Sequence, residues 1–239
     1  MSSDKPSGTR QLKVRVKTAS KKTLSSQKWL QRQLNDPYVA RAKRDGWRSR
    51  AAFKLLEMNE TYNFLKKGMR VVDLGCAPGG WAQVAAKCVG REQGAGLVIG
   101  IDILPVDPIA GADCITYDFL LDDAPEKLKG MLNGLADVVM SDMAANATGH
   151  KKTDHLKIIG IAEMALEFAR DVLAPDGTFI AKVIQGGSEA QFLNNLKRDF
   201  KQVRHVKPAA SRSDSAELYV LAMGYRGLVA DPDLSDHNT

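Results

Sequence analysis

Residues 71–81 read V-V-D-L-G-C-A-P-G-G-W, a short apolar run that passes through glycines into an amphipathic stretch. No other feature constrains the fold as strongly. A buried strand that turns through glycines straight into a helix is the opening unit of an open α/β sheet. Further apolar runs follow: Leu97–Ile101 ending in Asp102, Cys114–Tyr117 ending at Asp118, and Ala136–Met140 running into Asp142. Thr178–Val183 carries Lys182 inside it, Val203–Val206 reads as extended, and Glu217–Met223 as the last strand. Helices are expected between them: one from Trp81, a long one over Leu156–Leu173 closed by Pro175-Asp176-Gly177, and one over Glu189–Phe200. The alternation predicts an α/β fold with a mostly parallel seven-stranded sheet and helices on both faces. The connection Lys207–Ala216 holds no helix, so the last two strands are expected as an antiparallel pair.

Ahead of the first strand, Trp29, Leu30 and Leu34 recur at helical spacing. Asp36-Pro37 then reads as an N-cap followed by proline at the first helical position. That helix should end near Gly46, and another should begin near Ser49 with Ala52, Phe53, Leu55, Leu56 and Met58. Residues 1–24 are polar and basic without apolar periodicity and read as a disordered or RNA-ordered extension. Residues 25–225 read as one domain and 226–239 as a loose tail. The N-terminus lacks the apolar segment of a secretory signal, and no run is long and apolar enough to span a bilayer. Its basic, serine-rich character also suits a mitochondrial transit peptide, but no clear amphipathic presequence is present, which favours the cytoplasm. Cys76, Cys88 and Cys114 lack C-x-x-C spacing and the four histidines are scattered, so neither a disulfide frame nor a metal site is expected.

In open α/β sheets ligands bind at the carboxyl ends of strands, near the point where strand order reverses. Gly75–Gly80, Asp102, Asp118, Asp142 and Lys182 all fall at or near such ends. The loop is not G-x-G-x-x-G and has no G-K-[ST], which disfavours pyrophosphate cofactors and ATP. Several carboxylates around a loop without a phosphate-binding lysine suit a cationic ligand carrying a ribose, and S-adenosylmethionine fits. Trp81 either packs on its methionine portion or serves as a core tryptophan.

Lys54, Asp142, Lys182 and Glu217 form a second constellation. A lysine inside the apolar run F-I-A-K-V-I is unusual unless paired, and Asp142 closes the neighbouring strand. Such a lysine can deprotonate an alcohol if burial or a second cation lowers its pKa, and Lys54 supplies that cation. Asp142 would orient Lys182 and Glu217 would balance Lys54.

The motifs R-S-R-A-A-F-K-L (48–55), V-V-D-L-G-C-A-P-G-G-W (71–81), D-I-L-P (102–105), M-S-D-M-A (140–144), A-K-V-I-Q-G (181–186) and S-R-S-D-S-A-E-L-Y (211–219) resemble the FtsJ family. Its members are S-adenosylmethionine-dependent RNA ribose 2′-O-methyltransferases with a Rossmann-like fold. The resemblance spans about Ser25 to Gly224. It implies a catalytic tetrad of Lys54, Asp142, Lys182 and Glu217, with Lys182 as the base. It also implies cofactor contacts at Gly79, Trp81, Asp102, Asp118 and Asp142. The chain body is most similar to bacterial members that methylate a uridine 2′-OH in the A-loop of 23S rRNA within the 50S subunit. A monomer that acts without a metal or a membrane is expected. Cys76 departs from the small residues usual at its place.

Charge fits an RNA partner. Residues 1–54 hold 15 Lys/Arg and 3 Asp/Glu, a net of +12, whereas residues 55–239 hold 19 and 25, a net of −6. Lys13, Arg15, Lys17, Lys21, Lys22, Lys28, Arg32, Arg41, Lys43, Arg44, Arg48 and Arg50 crowd one arm, interleaved with Trp29, Tyr38 and Trp47. Cations neutralise phosphates and aromatics stack on unpaired bases. Lys207 and Arg212 extend the surface beyond the site. A base N-methyltransferase is disfavoured because Ser141-Asp142-Met143-Ala144 stands where an [ND]-P-P-[FY] loop belongs. A cytosine C5 enzyme lacks its cysteine there, and the glycine spacing opposes a nicotinamide dehydrogenase. A tRNA-directed relative stays open, as does a non-catalytic RNA-binding assembly factor, although the complete tetrad speaks against the latter.

Overall fold

The computed structural model describes residues 23–145, 148–185 and 190–227. Expectations placed on residues 1–22, on Glu189, on the tail 228–239 and on the side chains of Lys28 and Trp29 lie outside the described residues. Seven strands form one sheet: β1 (Arg70–Leu74), β2 (Leu97–Asp102), β3 (Asp113–Thr116), β4 (Ala136–Ser141), β5 (Leu173–Ile184), β6 (Phe200–Val206) and β7 (Glu217–Tyr225). Their order is β3-β2-β1-β4-β5-β7-β6. All neighbours are parallel except the pairs β7 makes with β5 and β6, so β7 is the one reversed strand.

The helices are α1 (Leu24–Leu34), α2 (Pro37–Arg44), α3 (Ala51–Tyr62), α4 (Gly80–Val89), α5 (Ala124–Leu132), α6 (Lys151–Val172) and α7 (Ala190–Asp199). One face of the sheet packs on α5, α6 and α7 through Val72, Leu74, Leu128, Leu166 and Phe192. The other packs on α3 and α4 through Val71, Leu55, Met58, Val84 and Ile180. Burial on both faces explains why the central strands read as continuous apolar runs and not as alternating ones. The edge strand β6 instead exposes Lys201, Gln202, Arg204 and His205, charged and polar groups that discourage pairing with another sheet. Asp36 caps α2 as expected, its Oδ1 accepting from Tyr38 N at 3.0 Å with Pro37 in the first turn.

Four details differ from the sequence reading. Helix α5 was not anticipated, although Pro125 near its start and Asn133 with φ 46° at its end bracket Leu128 and Leu132. Helix α6 begins at Lys151, not Leu156. Leu173 leaves that helix to pair with Ala136, residues 174–177 loop out, and pairing resumes at Val138 with Thr178. The P-D-G turn therefore interrupts a strand instead of closing a helix. Phe200 opens β6 because its ring, 1 % exposed, packs on Phe179 and Tyr225.

Strand β1 lies between β2 and β4, where chain order reverses, so the loop 75–79 emerges at the switch point.

Candidate active site

Register brings the four tetrad residues together. Lys182 pairs with Tyr219 and Ile184 with Glu217 across β5 and β7, while Ser141 sits beside Ala181, leaving Asp142 one step past the end of β4. Lys54 reaches this group from α3, which covers the same face of the sheet. The Lys182 Nζ lies 2.8 Å from Asp142 Oδ1 and donates to the Asp142 carbonyl at 2.6 Å. The Lys54 Nζ donates to Glu217 Oε1 at 2.6 Å, and Lys182 lies 3.8 Å from that oxygen. Two lysines thus face two carboxylates in a mostly buried cluster.

A fifth member escaped the sequence reading. The Tyr219 hydroxyl lies 2.7 Å from Asp142 Oδ1, 3.0 Å from Glu217 Oε1 and 2.9 Å from Lys54 Nζ. It stands two residues after Glu217 on the same strand, and the period of 2 in a strand was the signal that could have found it.

Electrostatics follow from this packing. Burial works to raise the Asp142 carboxyl, but Lys182, Lys54 and the hydrogen bond from Tyr219 outweigh it and hold it below its ordinary value. Glu217 is held down in the same way, burial being overcome by Lys54 and Lys182. Burial, with the charges of Asp142 and Glu217, pushes the Tyr219 hydroxyl well up, so it stays protonated and donates.

The glycine loop lies alongside. Gly75 N and Cys76 N donate to Ile101 O, and Ala77 N donates to Asp102 Oδ2 at 2.9 Å. Asp102 also accepts from Leu104 N, and Asp118 accepts from Leu120 N, so both acids are fixed by their own loops. Gly79 has φ 109°, and a Cβ there would stand 2.5 Å from Ile109 Cδ1 and 2.9 Å from Arg48 Cδ. Helix α4 starts at Gly80 without a side-chain cap, leaving amide donors at the loop. The Trp81 ring is buried, donates to Ala51 O at 2.8 Å and packs 5.4 Å from the Tyr219 ring. Through that contact it supports the tetrad.

Asp73 behaves differently from the other acids. It is fully buried and makes no hydrogen bond of normal geometry among the described residues. Burial pushes its carboxyl well up, Cys114, Asp142 and Asp102 add to this, and only the nearby Ala82 amide opposes. Cys76 is accommodated because Gly100 has no side chain: a Cβ there would stand 2.9 Å from both the Cys76 and Cys114 sulfurs.

Not every cation of the basic arm is free for a partner. Arg48 donates to Asp107 O at 2.6 Å and also to Pro108 O, bracing the loop beside Gly79. Arg41 and Arg44 pair with Asp45.

Among the described residues no group of three His, Cys, Asp or Glu could hold a metal ion, and no helix is long and apolar enough to cross a membrane.

A family model described as FtsJ-like methyltransferase matches residues 47–225, which take in the loop and all four tetrad positions. The chain belongs to the FtsJ-like methyltransferase family. It is 71 % identical over 218 residues to the ribosomal RNA large subunit methyltransferase E of Xanthobacter autotrophicus, covering 91 % of this chain and 86 % of the relative. The protein of the same name from Azorhizobium caulinodans is 65 % identical over 226 residues, covering 95 % and 94 %. Among solved structures, a ribosomal RNA methyltransferase from Plasmodium falciparum is 31 % identical with a TM-score of 0.67, covering 76 % of this chain and all of that one. As an FtsJ-like methyltransferase the chain requires a methyl donor. The Rossmann-like sheet places its switch-point loop alongside these four residues.

Proposed function

We propose that the chain transfers a methyl group from S-adenosylmethionine to a uridine 2′-oxygen in the A-loop of 23S rRNA, acting on the 50S subunit in the cytoplasm. The observation that carries this reading is the Lys182–Asp142 pair at 2.8 Å, set in a buried cluster beside the glycine loop. The high identity to large subunit methyltransferases across most of the chain supports rRNA as the acceptor.

The residues present fit the donor. The loop has no lysine to clash with a sulfonium, acids stand at the ends of β2 and β4, and the uncapped amides of α4 can meet a carboxylate. Asp73 adds a buried carboxyl with no hydrogen bond of normal geometry among the described residues. Gly79, Trp81, Asp102, Asp118 and Asp142 would hold the donor, Asp102 at its ribose hydroxyls. Bound there, it supplies an electrophilic methyl carbon on sulfur.

Lys182 does the proton chemistry. Two of its contacts go to Asp142, the carbonyl and Oδ1. To act as a base it must meet the ribose hydroxyl with a free lone pair, and these two contacts hold the nitrogen in place. Methylation of the 2′-oxygen would release its proton to Lys182 Nζ, while the carbon–sulfur bond of the donor breaks and leaves a neutral thioether. Asp142 orients that nitrogen and stabilises the ammonium that results. Lys54 and Glu217 hold the other side of the cluster, and in-line alignment supplies much of the rate.

The test is methylation of unmodified 50S particles, free 23S rRNA and tRNA with labelled S-adenosylmethionine. Label in 50S particles supports the reading. Label in tRNA alone assigns the chain to the tRNA-directed branch, and no label in any RNA points to a non-catalytic assembly factor.

A further inference from the structure

We propose that the cavity beside the tetrad is a subsite for one phosphodiester of the RNA strand that carries the acceptor ribose, held by Arg32, Arg50 and Arg212. The inference rests on the reading of RNA as the acceptor. The cavity measures about 250 Å³, and its walls include Arg32, Arg50 and Arg212 as well as Lys54 and Glu217 of the tetrad. Whatever fills it therefore abuts the reacting centre.

One carboxylate organises the arginines. Asp36, the cap of α2, receives Arg50 Nη1 on Oδ2, and the same oxygen receives Arg212 Nε at 3.3 Å and Nη2 at 3.2 Å. Arg50 also donates to Ala210 O. Side chains of Asp36 and Arg50 are only 7 % and 14 % exposed, so their geometry is set before any ligand arrives. Two guanidiniums from different parts of the chain, α3's entry and the 207–216 connection, are thereby drawn together.

Donor capacity is left over. Arg212 donates to Asp36 through Nε and Nη2 while its side chain stays 31 % exposed, and Arg50, held by Asp36 and Ala210, adds its charge to the cavity wall. Charge agrees. Lys54 and Glu217 offset one another, and three arginines against Asp36 and the cavity's Asp214 leave one positive charge, which matches a single phosphodiester. Planar guanidiniums fixed in advance lose little freedom on binding phosphate oxygens.

The test compares wild type, Arg212→Gln and Arg212→Lys on unmodified 50S particles over a range of salt. For Arg212→Gln, KM for particles should rise about tenfold with kcat within about twofold, the pattern of lost ground-state binding. The slope of log affinity against log salt should become shallower by about 0.7 to 1, the loss of one phosphate contact. Arg212→Lys should restore the slope while KM stays raised, because charge returns without the fork. Arg32→Gln, on α1 and not on the 207–216 connection, should repeat the Arg212→Gln pattern and so separates phosphate binding from local misfolding. An unchanged KM and slope in both glutamine variants overturns the subsite, as does a fall in kcat at constant KM. If wild type labels tRNA alone, the rRNA reading fails, and the same slope comparison on tRNA decides the subsite by itself.

Discussion

The Tyr219 hydroxyl stands 2.7 Å from Asp142 Oδ1, which ties the last strand of the sheet to the acid that orients Lys182. The same hydroxyl reaches Glu217 and Lys54, so one buried group contacts three of the four tetrad residues. Tyr219→Phe removes that donor and keeps the ring against Trp81. We expect kcat to fall about tenfold as Asp142 loses its orientation. Stability should fall by about 1–3 kcal/mol, the cost of leaving buried charged groups short of a partner. Single-turnover methylation and urea unfolding measure the two effects. Wild-type values for both would remove Tyr219 from the account.

Lys182 carries the proton in the proposed reaction, so Lys182→Met should lower kcat by at least about a hundredfold, the usual worth of a positioned base. Donor affinity should change far less than kcat, because the glycine loop, Asp102 and Asp118 are untouched and only Asp142 loses a partner. Calorimetric titration with S-adenosylmethionine separates the two effects. Near-normal turnover in this variant would assign the base to another group.

Acid should unfold the chain partly through the tetrad. Asp142 and Glu217 are held below their ordinary values of 3.8 and 4.5, so the folded chain binds fewer protons than the unfolded chain just below those values. Their contribution is fully present above both ordinary values and is lost as pH falls through the lowered folded values. Asp73 has the opposite sign. Its raised carboxyl favours the folded chain at low pH, and that contribution is lost as pH rises above 3.8. Urea midpoints between pH 3 and 7 should show a flatter acid limb for Glu217→Gln than for wild type. An unchanged limb would mean that Glu217 is not linked to folding.

Gly79→Ala places a methyl group 2.5 Å from Ile109 Cδ1 on a backbone with φ 109°. The strain is on the order of 1–3 kcal/mol and is relieved only by moving the loop. Affinity for S-adenosylmethionine should therefore drop at least about tenfold, a loss of about 1.4 kcal/mol by calorimetry. Unaltered affinity would show that the loop does not contact the donor.

The parallel sheet was legible because strands buried on both faces leave apolar runs, each closed by glycine or acid. Lys54, Asp142, Lys182 and Glu217 were legible as a set for a related reason: a lysine inside an apolar strand must find a carboxylate. Helix α5 was missed because Ala124–Leu132 is short and breaks up its apolar residues with Glu126, Lys127, Lys129 and Gly130. Tyr219 was missed because an aromatic in a strand reads as core, and its burial hides a polar tip until register sets it beside Asp142 and Glu217. The Asp36 clamp on Arg50 and Arg212 joins residues 14 and 176 positions apart, beyond any local pattern.

The claim on which the rest depends is that the acceptor atom is a ribose oxygen. Alkaline hydrolysis of 23S rRNA from labelled 50S particles tests it directly, since a 2′-O-methyl group blocks cleavage of the phosphodiester that follows. Label is expected in one alkali-resistant dinucleotide whose 5′ residue is a uridine. Label released on a base-methylated mononucleotide would contradict it.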